Sequence, residues 1–268
     1  MWRNATQLLL ERISCVEKLE RLVLMGPVGV GKTTTMLQLA DYLVQGRGNT
    51  DKIDTVVYFP RVARWSAGYY PYSPSPLDSS MYDQPDLAIE IMKQIANTNL
   101  HLPLAELIAQ AEADPLQALD ILKNRFLGQI QSSSSGRLFI FVDEINALYA
   151  PTGYFDVTSK ELPVEKLSVL AAVRDFIENS KSVLVAAESN APNFSKFMLP
   201  VEAFSGEPVR LDYFSTLEVQ GLLNYYHQIG QVNMGINSAY AEKIRFVSGG
   251  AAHRILSAAH YDSVYQRH

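Results

Sequence analysis

Apolar positions along the chain follow two alternating rhythms. Short apolar runs read as buried strands: Leu22 to Met25, Thr55 to Phe59, Leu138 to Val142 and Val183 to Ala187, with Val209 to Leu211, interrupted by Arg210, as the candidate for a fifth. Runs of this kind suit parallel strands covered on both faces. Between them, apolar residues return every three or four positions, which is helical spacing. That spacing predicts helices over Thr33 to Val44, Asp86 to Ala96, Leu104 to Ala113, Leu116 to Ile130 and Leu167 to Ile177. In the second of these, Leu87, Ile91 and Ile95 share one face. From Thr216 onward only helical spacing remains, over Thr216 to His227, Ser238 to Val247 and Ala251 to His260. Strands and helices in alternation argue for an α/β fold, a mostly parallel sheet flanked by helices. The tail then reads as a small helical lid. The expected division is 1–212 for the α/β domain and 213–268 for the helical subdomain.

Two stretches break the pattern. Residues 60–82 are rich in Pro, Tyr and Ser and read as a long loop. A loop of that length inside a compact domain points to a functional or partner-binding insertion. Ser132 to Gly136, SSSSG, reads as a surface linker.

Composition narrows the classes. Hydrophobic residues make up 47% and charged residues 19%, which suits an ordinary globular core. The longest apolar runs are far too short to cross a bilayer, so no membrane partner is expected. The single cysteine, Cys15, excludes an intrachain disulfide framework. The absence of a CxxC pair and of HExxH argues against zinc. A net charge of -5 is the wrong sign for a protein that coats nucleic acid, so RNA contact is expected to be local and protein neighbours to dominate. The opening MWRNATQLLLERIS has the two arginines and leucine run of a weak mitochondrial presequence. Glu11, Glu17 and Glu20 break that acid-poor pattern and favour a first helix of the fold.

The chemistry begins at GPVGVGKTT. Gly26, Gly31, Lys32 and Thr33 satisfy G-x-x-x-x-G-K-[ST], with Pro27, Val28, Gly29 and Val30 between them and Thr34 behind. Glycines let backbone N–H groups wrap phosphate oxygens, and a helix N-terminus behind them favours the anion. Lys32 is expected at the β- and γ-phosphates and the Thr33 hydroxyl at Mg2+. The strand ending at Val142 runs into Asp143 and Glu144. Asp143 is the expected Mg2+ ligand and Glu144 the carboxylate that polarises an attacking water; the bland alternative is a strand that ends in two solvated acids. Val183 to Ala187 exits into Glu188, Ser189 and Asn190. Ser189 or Asn190 is placed to touch the γ-phosphate or the water, and a plain strand exit fits equally well. SGGAAHR, Ser248 to Arg254, opens a helix and is similar to the G-x-x-R segment of ATPase lids. Arg254 is its candidate nucleotide contact, with an ordinary surface arginine as the alternative, while His253 reads as packed or solvated. No N-K-x-D motif chooses guanine, so GTP, GDP and ATP all stay open. Arg61, Arg64 and Arg174 are the arginines available to stabilise charge, and none is assignable from sequence; weak or absent hydrolysis is the expectation.

Four segments carry a family resemblance. They are GPVGVGKTTTMLQLA; VVYFPRVARW with the later YDQPDLAIEIMKQI; FIFVDEINALYAPTGYFD; and YFSTLEVQGLLNYYHQIG with FVSGGAAHRILSAAHYD. In the third, Asp143, Ile145, Asn146, Ala147 and Leu148 fit a D-x-I-N-A-L pattern. DQP and DEINAL have no general nucleotide-hydrolase rationale, so they are more specific than the P-loop. Together, over residues 17–262, they resemble the mitochondrial small-ribosomal-subunit GTP-binding proteins of the death-associated-protein family, fungal members above all. The resemblance implies a P-loop, AAA+-like fold and a structural protein in the head of the mitochondrial small ribosomal subunit. It implies a matrix location, a guanine nucleotide with Mg2+, and small-subunit ribosomal proteins as neighbours. Residues 65–82 would then dock on a neighbour or stack tyrosines on RNA bases. Members of the family carry a sizeable region ahead of the P-loop, so a truncated or processed chain is expected here. Some members place glycine where this chain has Glu144. A stand-alone AAA+-like ATPase that remodels protein or nucleic acid is the alternative reading.

Overall fold

Strand β1 (Arg21–Met25) and helix α2 (Lys32–Gln45) follow helix α1 (Asn4–Ser14) in the computed structural model. The structure describes residues 4–14, 20–45, 54–76, 78–99, 102–133, 136–191, 199, 208–232 and 235–265. Cys15 and Glu17 lie outside them. The remaining strands are β2 (Thr55–Phe59), β3 (Ser73–Pro74), β4 (Tyr82–Asp83), β5 (Leu138–Asp143), β6 (Val183–Ala187) and β7 (Pro208–Arg210). Five of them form one sheet in the order β2-β5-β6-β1-β7. The chain divides into two compact units, residues 17–23 with 39–207 and residues 1–16 with 24–38 and 208–268, and β1 belongs to both.

In the larger unit β2, β5 and β6 run parallel, with Val57 opposite Ile140 and Ile140 opposite Leu184. Every residue of β5 and of β6 is buried, as the unbroken apolar runs predict. Helix α4 (Pro85–Thr98) lays Leu87, Ile91 and Ile95 into this core, and α8 (Ser168–Asn179) adds Val169, Val173 and Phe176. Burying each such side chain contributes about 1.5–3 kcal/mol. β2 is an edge strand of the sheet, and its free edge is covered by a side chain. Buried Asn99 accepts from Val56 N–H (3.1 Å) and donates to Val56 O (2.6 Å), as a neighbouring strand would.

Two expectations change here. The run 116–130 is not one regular helix. After α5 (Ala105–Ala113), a 3-10 turn (Pro115–Gln117) and α6 (Ala118–Asp120) lead into a π-helical turn (Ile121–Phe126) and then α7 (Leu127–Ser133). Ile121 and Phe126, and Leu122 and Leu127, are buried pairs five residues apart. The wider turn puts both pairs on the core face, where an α-helix would rotate one member away. Residues 60–82 are not a bare loop either. They hold α3 (Val62–Ser66) and the antiparallel ribbon β3–β4. Buried Tyr154 donates its hydroxyl to Trp65 O (3.0 Å) and accepts from Tyr70 N–H (3.3 Å), and Tyr70 donates to Glu90 (2.7 Å). Gly153 N–H donates to Ser66 O at 2.7 Å, with no room for a Cβ at Gly153, which would come within 2.5 Å of Ala67 O. The tyrosines of this segment are therefore largely spent on holding it down. Tyr69, 74% exposed, is the exception.

In the smaller unit the tail folds as three helices, α9 (Thr216–Gln228), α10 (Ser238–Ser248) and α11 (Ala252–Tyr265). Val219, Leu223, Ala241, Ile244, Ile255 and Ala259 form their common core. Ser215 and Glu218 make a reciprocal capping box at the start of α9, worth about 1 kcal/mol, and the Asn237 side chain caps α10. Gly249 and Gly250, both left-handed, end α10 and turn the chain into α11. Gly250 N–H returns to Arg245 O (2.9 Å) and Phe214 N–H donates to Gly250 O (2.9 Å).

Candidate functional site

The smaller unit contains the phosphate-loop motif. β1 delivers the chain to Gly26, and α2 starts at Lys32. Gly26 has φ 145°, and a Cβ there would come within 2.2 Å of Leu211 O. Leu211 N–H in turn donates to Met25 O (2.8 Å), so the chain after β7 backs the loop. Gly29 has φ 80°, and a Cβ there would strike the His253 ring at 2.3 Å. Ala252 N–H donates to Gly29 O (2.9 Å). The loop is thus held from one side by the chain after β7 and from the other by the first turn of α11. Lys32 Nζ lies across it, donating to Gly26 O (2.7 Å) and Pro27 O (3.2 Å).

A cleft of about 470 Å3 opens beside the loop. Its polar wall is Gly29, Gly31, Lys32, the threonines 33–35 and Gln38, with Glu218, which also caps α9, on the opposite side. Its apolar wall is Phe214, Leu222 and Tyr226, and Ala252 and His253 close one end. Apolar walls with a few convergent polar groups at this volume are the usual form of a small-ligand site. The donors suit a phosphate: a glycine loop, an ammonium and a hydroxyl at the start of a 14-residue helix. Of the sequence-predicted residues, Gly29, Gly31, Lys32, Thr33 and Thr34 line the cleft. Arg254 is exposed and is not on its lining.

The larger unit contains the acidic pair. The parallel strands β2, β5 and β6 all end on one side of the sheet, the side where ligands bind in such folds. Asp143, the last residue of β5, is buried beside Ala187 of β6. Glu144 follows in a left-handed conformation, φ 64° and ψ 40°. Its carboxylate accepts from Ser189 Oγ (3.3 Å) and from the Ala63 backbone N–H. Burial, and next the charge of Asp143, push Glu144 above the usual carboxylate range, against those two hydrogen bonds and Arg61. Arg61, also left-handed at φ 50°, stands two residues past the Phe59–Val142 pair, as Glu144 does on the adjacent strand. Burial, and then Asp143, push the nearby Tyr58 phenol well above its ordinary value. Arg174 is committed elsewhere, to Glu165, to Glu178 (3.0 Å) and to the face of Tyr149 (4.6 Å).

Ser189 is positioned by Asn146. The buried Asn146 amide donates to Ser189 O (2.9 Å) and accepts from Ser189 N–H (2.8 Å). This gives the asparagine of DEINAL a physical task, to fasten the exit of β6 to the exit of β5. Sequence reasoning singled out Asn146 without finding that task. It also read His253 only as packed or solvated and passed over the apolar wall of α9. YFSTLEVQGLLNYYH held the signal, because Leu222 and Tyr226 recur at helical spacing. Among the described residues no cluster of three His, Cys, Asp or Glu side chains is arranged to hold a metal ion. Among the described residues no helix is long and apolar enough to cross a membrane.

Residues 1–102 match the family model described as mitochondrial ribosomal death-associated protein 3. The resemblance read from the residues is borne out over that stretch, which holds the phosphate loop, RVARW and DQP. No curated protein matches the chain. Among solved structures it is similar to the Aeropyrum pernix ORC2 protein in its ADP form, at 14% identity and a TM-score of 0.51, over 94% of this chain and 59% of that one. The same protein in ADPNP–ADP complexes gives 15% identity and 0.51 over 94% and 58%. A Thermotoga maritima RuvB variant gives 18% identity and 0.43 over 94% and 57%. The chain spans less than two thirds of the length of the Aeropyrum chains. At these identities the likeness is one of fold, and it bears out the α/β reading of a parallel sheet flanked by helices.

Proposed function

We propose that this chain, identified over residues 1–102 with the mitochondrial ribosomal death-associated protein family, is a structural protein of the mitochondrial small ribosomal subunit that holds a purine nucleotide. The observation that carries the reading is the cleft at the phosphate loop. Gly29, Gly31, Lys32 and Thr33 converge there with the apolar wall of Phe214, Leu222 and Tyr226. Lys32 and the loop N–H groups take the phosphates. Thr33 is the proposed Mg2+ ligand of this cleft, and the oxygens of the nucleotide complete the coordination, as Mg2+ sites built on phosphates do. In the larger unit, Asp143 and Ser189, the latter held by Asn146, are the proposed polar groups at the strand exits. The proposed ligand is GDP or GTP, on the strength of the family resemblance. The Aeropyrum protein of similar fold was solved with ADP, which keeps adenine as the alternative base.

Bound nucleotide adds stability by mass action, about 2.7 kcal/mol at a hundredfold excess over Kd, which is a large share of an ordinary domain's stability. The site then serves mainly to hold the fold. Its neighbours are small-subunit ribosomal proteins, with local contact to ribosomal RNA, in the mitochondrial matrix. The test is sedimentation of the tagged native chain from a mitochondrial lysate, with chromatography of the nucleotide released from the peak fraction. Co-migration with the small subunit and stoichiometric GDP or GTP is the expected result. ADP or ATP in that fraction revises the base. Migration as a free protein overturns the ribosomal reading.

One observation favours a second reading, hydrolysis coupled to remodelling. Glu144 is held by two hydrogen bonds beside Asp143, with its proton affinity raised, as a general base needs. Steady phosphate release that Glu144→Gln abolishes while binding persists would support it.

A further inference from the structure

We propose that His253 is the residue of the helical tail that binds the phosphates of the nucleotide, in the role that the sequence pattern offers to Arg254. The inference rests on the nucleotide reading of the cleft. SGGAAHR presents two adjacent side chains at the start of α11, both exposed, and the cleft separates them. His253 lines the cleft together with Gly29, Gly31, Lys32 and Thr33. Arg254 is off the lining.

The placement of His253 is fixed by the loop itself. The Nδ1–Cε1 edge of its ring rests on Gly29, so closely that a Cβ at that position would come within 2.3 Å of Nδ1 and 2.4 Å of Cε1. One residue earlier, Ala252 N–H donates to Gly29 O at 2.9 Å. The first turn of α11 is thereby tied to the backbone that would wrap a phosphate. Neither ring nitrogen of His253 has a hydrogen-bond partner among the described residues, although imidazole offers at least one N–H donor in any protonation state. An imidazole with unused hydrogen-bonding capacity, in a cleft shared with the loop lysine, is chemically suited to a phosphate oxygen. α11 runs for 14 residues, so its N-terminus adds a favourable field at the same end of the cleft.

The packing on Gly29 and the donor function are separable. His253→Phe keeps an aromatic ring against Gly29 and removes both nitrogens, while His253→Gln keeps a donor without the ring. The experiment is titration of GDP and of ADP with Mg2+ into nucleotide-stripped wild type, His253→Phe, His253→Gln, Arg254→Ala and Lys32→Ala, with the unfolding midpoint of each stripped protein measured alongside. The expected result is a loss of affinity of about tenfold in His253→Phe, the scale of one hydrogen bond to a charged group. Partial recovery in His253→Gln, no change in Arg254→Ala and an unfolding midpoint of stripped His253→Phe near wild type are expected with it. Wild-type affinity in His253→Phe, or an equal loss in Arg254→Ala, overturns the assignment while the nucleotide reading stands. Lost affinity accompanied by an equally lowered midpoint of the stripped protein also overturns it, because the ring then acts through the fold. Wild type that binds neither nucleotide overturns both.

Discussion

Asn146 and Ser189 are joined by two hydrogen bonds that copy a strand pairing, 2.9 Å from the amide to the Ser189 carbonyl and 2.8 Å from the Ser189 N–H to the amide oxygen. They stand on the exits of β5 and β6, just past the end of the registered pairs. The side chain extends the ladder at the point where the backbones diverge. It thereby sets where the Ser189 hydroxyl meets Glu144.

Asn146→Ala is expected to destabilise the protein by roughly 2 kcal/mol or more, because it leaves a buried N–H and a buried C=O without partners. Asn146→Asp keeps the acceptor, loses the donor and adds a charge beside Asp143, so its loss is expected to be larger. Urea unfolding near neutral pH measures both. A loss within a few tenths of a kcal/mol for both variants would show that the pairing does not hold the loop.

Asn99 makes the same kind of pairing with Val56 on the edge of the sheet. Asn99→Ala is expected to cost about as much as Asn146→Ala and also to expose an unpaired strand edge. Light scattering of the folded variant is expected to show self-association that wild type lacks at the same concentration. A monodisperse variant of unchanged stability contradicts the role given to Asn99.

Glu144 is left-handed at φ 64°, a conformation that costs a non-glycine residue about 1–2 kcal/mol. Glu144→Gly and Glu144→Ala remove the same two hydrogen bonds, and only glycine also removes the strain. The glycine variant is expected to be more stable than the alanine variant by about 1 kcal/mol, the reverse of their order in a helix. Equal unfolding midpoints would remove backbone strain from the account.

The sheet was legible in the sequence because parallel strands buried on both faces leave unbroken apolar runs, and β2 and β6 form at the residues where they are read. The phosphate loop was legible for a similar reason, since its glycines meet a local backbone demand. What stayed hidden depends on partners distant in sequence. Asn99 reaches back 43 residues to Val56, and Asn146 reaches forward 43 to Ser189, and no local pattern marks either. The tyrosine-rich segment read as a loop because its order comes from Tyr154, more than eighty residues on. His253 looked ordinary because its task is defined by the empty side of Gly29.

Glu144 also predicts a pH dependence. Burial raises its carboxyl above the ordinary range, so the folded state keeps that proton to higher pH than the unfolded chain does. In the window above the ordinary carboxylate value of about 4.3, the folded state therefore binds more protons, and stability falls as pH rises through the window. The difference in unfolding free energy between wild type and Glu144→Gln is expected to shift against wild type across that interval and then level off. Urea midpoints at a series of pH values measure it. A shift of the opposite sign would mean that the hydrogen bonds from Ser189 and Ala63 outweigh desolvation.

Lys32→Ala tests whether the loop holds the fold through its ligand. In wild type the ammonium donates to Gly26 O and Pro27 O, so its removal frees two carbonyls that water is able to solvate. The stripped variant is therefore expected to unfold within about 1 kcal/mol of stripped wild type. With saturating GDP and Mg2+ the two are expected to separate, wild type gaining the roughly 2.7 kcal/mol of a hundredfold excess and the variant little of it. Thermal unfolding of both proteins, with and without nucleotide, measures the four values. A variant that gains as much as wild type shows that Lys32 is not the phosphate contact. Two proteins that both gain nothing show that the folded chain does not bind GDP at that concentration.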